Sequence, residues 1–352
     1  MEYTKPWTSI EDQVDRLASR GVDVARRAQT ERLLAAVGYY RLTGYLYPYR
    51  AVGPPEGPDA GRAGGYRPGT SIRQVERIIA FDRDLRLLVM GGVERIEIAV
   101  RMQVGYVVGR RSAFSHLDAT TFLPSFCQPR TDPETGWPTL PSAHTEWLQR
   151  VAERRVRSDE AFVEHFRTRY SGQMPIWALT ELLELGHLAR LYRGLNDDDA
   201  SCIAATFGVP TKKVMASWLA SVNYVRNVSA HHGRLYNRKL QNAPGRPKLG
   251  RVPLLDHLGA ADTPKEYGTY SALAVIAYLL RSIDDRCGWN RHVVELLDSF
   301  PTDPVLGLTA LGAPPGWRDE PLRRTTRAVS RPAAPRRPPG NPRSRAVPTG
   351  SA

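Results

Sequence analysis

The sequence predicts an all-α protein. Three observations carry that expectation. Apolar residues recur three and four apart through most of residues 1–300, no run alternates apolar and polar residues between hairpin signals, and no repeat has the length of a solenoid unit. With 352 residues, 41% hydrophobic and 9% aromatic, the chain has the material for a large core.

The elements follow in order. Thr8 and Ser9 before Glu11 and Asp12 form a helix start, and Ile10, Val14 and Leu17 share one face until Gly21. A second helix starts near Ala28 and carries Leu33, Leu34 and Val37 into Gly38-Tyr39-Tyr40-Arg41-Leu42. Residues 51–69 hold six Gly and four Pro and read as a mobile loop. Thr70 and Ser71 then open a long stretch with Ile72, Val75, Ile79, Leu85 and Leu88 on one face; Gly91-Gly92 is expected to interrupt it before it resumes with Val93, Ile96, Val100, Val104 and Val107. Residues 123–143, rich in Pro, Thr and Ser, form an irregular insert. Further helices are expected at 144–157, 159–170, 176–194, 198–206, 211–230, 268–285 and 290–299.

From residue 301 the composition changes. Between Arg318 and Ala352 stand nine Arg and seven Pro against Asp319 and Glu320, so +7 of the net +13 lies there with almost no large apolar residue. Such a segment cannot offset its ordering entropy, and 301–352 reads as a disordered Pro/Arg tail, either solubilising or attracted to phosphate. The apolar run Leu273–Leu280 is too short for a bilayer, which needs about 20 residues, and the N-terminus does not read as a signal peptide. Three scattered cysteines exclude a disulfide framework and a Cys-based zinc site and fit a reducing, cytoplasmic setting. No His/Asp/Glu set has ligand spacing, so neither metal nor cofactor is expected.

One segment could carry chemistry: Ser221 to Arg238, with Arg226, Asn227, His231 and His232 at its centre. Five helical positions span about 500°, which leaves Arg226 and His231 about 140° apart, so they share a cleft only where the helix ends or tightens. A histidine titrates near neutrality and moves protons to or from a ribose hydroxyl. A guanidinium forks onto phosphate oxygens and stabilises charge on a phosphorane-like transition state. This is the chemistry of RNA cleavage through the substrate's own 2′-hydroxyl. The spacing alone favours a packed or ion-paired role over a catalytic one. No acid occurs between Arg226 and Arg251, and Arg234, Arg238, Lys239, Arg246, Lys248 and Arg251 follow the motif as a candidate path for RNA.

Further blocks stand in order along the chain: Lys5-Pro6 with the first helix and Arg20-Gly21; Gly38 to Tyr45; Phe81-Asp82-Arg83-Asp84-Leu85-Arg86; Glu94 to Arg101; Pro175-Ile176-Trp177 with Glu181 and Gly186-His187-Leu188; and Arg226 to Arg238. In this order and spacing the chain resembles the Abi-like (AbiD/AbiF-type) abortive-infection proteins of the HEPN superfamily over most of residues 5–300. The resemblance implies a HEPN-type helical bundle with additional helices over 1–300 and a metal-independent endoribonuclease toxin of phage defence. It also implies a homodimer in which two motifs face one cleft. It makes Arg226 the phosphate-binding residue, His231 the general acid/base and Asn227 an orienting residue, with His232, Glu97 and Arg101 in support. A neutralising RNA or protein partner is compatible with it. Two other readings stay open: a non-catalytic module holding a regulatory RNA, and a protein-interaction or antitoxin module.

Residue by residue, Asp82, Arg86, Glu97 and Arg101 read as an ion network behind the active helix, and the tyrosines at 39, 40, 45, 47 and 49 as an aromatic core or dimer face. Trp177 reads as core. His187 reads as a satisfied core histidine.

Overall fold

The computed structural model describes residues 2, 6–51, 64–137, 141–266 and 268–323. Among these no strand forms; three isolated β-bridges are the sole sheet-like pairings. The helices are α1 (Ile10–Ser19), α2 (Arg27–Val37), α3 (Tyr39–Leu46), α4 (Ile72–Gly109), α5 (Pro124–Cys127), α6 (Ala143–Val156) and α7 (Ala161–Arg169). They continue with α8 (Ile176–Leu179), α9 (Leu185–Gly194), α10 (Asp197–Thr206), α11 (Lys212–Ala230), α12 (Thr269–Ile283) and α13 (Trp289–Asp298). The all-α expectation holds. No described helix is long and apolar enough to cross a membrane.

The 38-residue α4 is the axis of the bundle, and α8, α11 and α12 pack most extensively along it. It does not break at Gly91-Gly92. Two glycines cost a helix roughly 1 kcal/mol each, and tertiary packing outweighs that here. A Cβ at Gly92 would sit 2.8 Å from the Trp289 indole, so the missing side chain is what lets α13 approach. That indole donates to the Leu88 carbonyl at 2.9 Å.

Two expected helices are divided instead. Gly38 adopts φ +78°, which separates α2 from α3. Residues 176–194 form α8, a 3-10 turn and α9, because two arginines take the carbonyls a continuous helix would use. Arg154 Nε donates to Leu182 O at 2.7 Å and Arg101 Nε to Leu183 O at 2.9 Å. Trp177, expected in the core, is about half exposed (52%); its inner face covers Gly105 and Gly109 of α4.

The packed part does not end at residue 300. Leu306, Leu311 and Leu322 are buried, Phe300 meets Phe81 edge-on at 4.9 Å, and Tyr49 donates to Asp303 at 2.6 Å. The apolar residues scattered among the prolines suffice to hold 301–323 on the bundle. The remainder of the expected tail, 324–352, lies outside the described residues, as does 52–63 of the expected loop. Of that loop's end, Tyr66 is buried and its N–H donates to Arg20 O.

Candidate RNA-cleavage site

Helix α11 starts on an N-cap in which the Thr211 hydroxyl accepts from Val214 N. Its buried residues Met215, Trp218, Leu219, Val222 and Val225 face the core at helical spacing. It ends in a Schellman closure: Gly233 N–H donates to Val228 O at 2.8 Å and His232 N–H to Ser229 O at 3.1 Å. His231 is the C-cap, with φ −90° and ψ 17°, and its N–H donates to Asn227 O. His232 takes the left-handed position at φ +57° that glycine usually fills. The sequence places its glycine one residue later, so His232 carries backbone strain on the order of 1 kcal/mol.

Both histidines are exposed and Arg226 and Asn227 are half-buried. The Arg226 guanidinium donates to Asn227 Oδ1 at 3.1 Å. Thus the last turn of α11 carries Arg226 and Asn227, and the helix ends at the His231 cap.

What holds this end is a buried carboxylate. Asp82, fully buried on α4, accepts from Tyr45 Oη at 2.6 Å, from Arg86 at 2.5 Å, and from the backbone N–H groups of Leu235 (3.0 Å) and Tyr236 (2.8 Å). Four donors on one carboxylate offset its desolvation. Burial, and then the Asp82 charge, pushes the Tyr45 phenol up to about 12, so it stays a donor. Tyr45 stacks on Tyr236 at 5.9 Å, 8° from parallel, and Thr269 caps Leu235 O at 2.8 Å. From α3, Arg41 donates to His232 O at 2.6 Å, while Arg234 reaches back to Gly44 O. The blocks around Gly38, Asp82 and Arg226, far apart in sequence, therefore meet at one place.

A family model described as Abi-like protein matches residues 32–237. The chain belongs to that family. No curated protein and no solved structure matches it. The Abi-like segment begins within α2 and closes at Asn237, one residue past the Asp82 clamp, so it encloses the assembly just described apart from the Thr269 cap. Helices α12 and α13 lie beyond it.

Within this Abi-like site, Glu97 and Arg101 form an i, i+4 pair at 2.5 Å, and Arg101's other described bond is to Leu183 O. They steady the link between α8 and α9; no described bond joins them to Arg226. Arg234 and Arg238 spend donors inside the fold, Arg238 on Tyr224 Oη at 2.9 Å and on Arg234 O. Lys239 pairs with Glu266 at 3.0 Å. Arg246 and Lys248 are exposed. A cavity of about 500 Å³ opens one turn back along α11, lined by Asn223 with Arg130, Arg190 and Arg193. Asn223 precedes Arg226 and Asn227 by three and four residues and shares their stripe. Glu146 holds Arg130 and Arg190 in place.

His187 is half-buried beside Arg101 and Arg154, and its Nδ1 has no hydrogen-bond partner among the described residues. It is not the satisfied core histidine the sequence suggests. Of the tyrosines, Tyr45 and Tyr49 are buried while Tyr40 and Tyr47 are exposed. Arg41, which ties α3 to His232, has no recognisable sequence signal beyond its place in the Gly38 to Tyr45 block.

Proposed function

We propose that the protein is a HEPN-type, metal-independent endoribonuclease of the AbiD/AbiF kind, acting as an abortive-infection toxin against phage. Membership of the Abi-like family supports the defence role. The observation that carries the chemistry is the exposure of His231 on a rigidly clamped helix end that also presents Arg226 and Asn227, at the head of a segment without acids up to Arg251. Histidine and arginine pointing into a dry interior would have ended the proposal.

In the proposed reaction the ribose 2′-hydroxyl loses its proton to one imidazole and attacks the adjacent phosphorus. The 5′-oxygen leaves as a hydroxyl, protonated by a second imidazole, and a 2′,3′-cyclic phosphate remains. Arg226 stabilises the charge on the non-bridging oxygens, and Asn227 Oδ1 orients the guanidinium. Arg246, Lys248 and the arginines near Asn223 provide a backbone path. Two histidines are needed, and a homodimer supplies two copies of His231. An exposed apolar stripe on α4, formed by Leu87, Ile98, Met102 and Tyr106, supports a second copy as partner.

The test is cleavage of RNA in EDTA, with the termini of the products identified. Wild type is expected to cut and to leave a cyclic phosphate; His231→Ala is expected to lose at least about 100-fold. Equal cleavage by both proteins overturns the assignment. RNA retained without product selects the alternative in which the protein holds a regulatory RNA. Mixing wild-type with His231→Ala protomers tests the composite cleft: if one site needs a histidine from each chain, mixed dimers are inactive and activity falls more steeply than the fraction of wild-type protomers, whereas a proportional fall means that each chain acts alone.

A further inference from the structure

Arg323 is a buried charge with hydrogen-bond donors left over. Its side chain is nearly inaccessible (4% exposed), and its Nε and one terminal nitrogen have no hydrogen-bond acceptor among the described residues. The other terminal nitrogen donates to Asn290 Oδ1 at 2.7 Å, and the guanidinium lies 5.0 Å from the centre of the Tyr270 ring. The Tyr270 hydroxyl and the Glu320 carboxylate both favour its charge but offset only part of the desolvation, and Glu320 also sits 3.5 Å from His257. Residues 324–352 contain no Asp or Glu that could complete the pairing. A desolvated guanidinium with unused donors is costly unless an anion meets it.

The side chain borders a cavity of about 360 Å³ between α12, α13 and the returning segment that ends at Arg323. Arg281, Arg286 and Arg291 border the same space against one acid, Asp285, though Arg291 also leans on Glu295 at 3.6 Å. Leu280, Trp289 and Val294 line the same space, the first two with little of their surface exposed. The cavity thus combines cationic and apolar side chains, at the volume of a small organic anion. Guanidinium forks match phosphate oxygens, and aromatic and aliphatic walls suit a planar ring.

We propose that this cavity binds a nucleoside monophosphate, with the phosphate against Arg323 and Arg281 and the base against Leu280 and Trp289. The site lies wholly outside residues 32–237 that match the Abi-like model and shares no residue with the Arg226–His231 end. Asn290 positions Arg323 and is itself held by donating to Leu322 O at 2.9 Å.

Calorimetric titration of the full chain with AMP, GMP, CMP, UMP, the parent nucleosides and inorganic phosphate tests this. Saturable binding is expected for at least one monophosphate, at least about tenfold tighter than for its nucleoside or for phosphate alone. Arg323→Met, which replaces a buried charge by an apolar side chain of similar length, is expected to fold and to lose that binding; Arg281→Ala, at the rim, gives the same readout if the first variant is unstable. His231→Ala is expected to bind as wild type, which separates this site from the nuclease proposal. The inference is overturned if no monophosphate binds saturably, if phosphate alone binds as tightly, or if Arg281→Ala and every folded Arg323 variant retain wild-type affinity.

Discussion

His231-His232 and Leu235-Tyr236 are separated by two residues, yet they are held in opposite ways. Leu235 and Tyr236 are buried with their N–H groups on the Asp82 carboxylate. The two histidines have exposed side chains and, among the described residues, are held through their backbones, His232 by Arg41 on its carbonyl. The difference separates scaffold from chemistry within one short block. The buried half pins the chain so that the exposed half presents side chains at a constant place.

The largest effect is expected from breaking the buried half. Asp82→Ala leaves Arg86 unpaired and two backbone N–H groups without an acceptor, and should cost roughly 3–5 kcal/mol in urea unfolding. A loss below about 1 kcal/mol would mean that the clamp does not hold the helix end.

Acid sharpens the same contrast between buried and exposed groups. Burial, aided by Arg155, lowers His116 to about 4, and burial with Arg323 lowers His257 to about 4, from an ordinary value of 6.5. The unfolded chain therefore takes up protons that the folded chain refuses. Stability should fall as pH drops from about 6.5 towards about 4, where the histidine contribution levels off. Urea midpoints measured across that range check it, and His257→Gln should reduce the slope.

Tyr45→Phe removes one charge-assisted bond to Asp82 while keeping the stack on Tyr236, and should cost about 2 kcal/mol. His232→Gly relieves the left-handed backbone and should stabilise the fold by about 0.5–1 kcal/mol. RNA cleavage should survive that substitution if His232 only closes the helix. Smallest in stability is His231→Ala, within about 0.5 kcal/mol as for an exposed side chain. A catalytic loss without a stability change is the signature of its assigned role.

Much of the fold was legible in the residues. The spacing of Val93, Ile96, Val100 and Val104 fits a buried face of α4, and Thr211 marks the start of α11. The misreadings share a cause. Gly91-Gly92 read as a break because local propensity ignores Trp289, nearly two hundred residues away. The linker at Leu182-Leu183 was invisible because the arginines that claim its carbonyls come from α4 and α6. The segment 301–323 read as tail because proline content outweighed Leu306, Leu311 and Leu322, whose burial depends on surfaces that other elements supply.

By itself the sequence determined the helical period, the caps, the motif's residue types and the concentration of positive charge after it, because these depend on neighbours within a few positions. Only the tertiary structure decided that Asp82 grips the backbone after the motif, that His231 faces solvent while Tyr236 does not, and that Arg323 is buried beside a cavity. Those outcomes rest on contacts between residues up to about two hundred positions apart, and a carboxylate's partners cannot be read until the chain has brought them together.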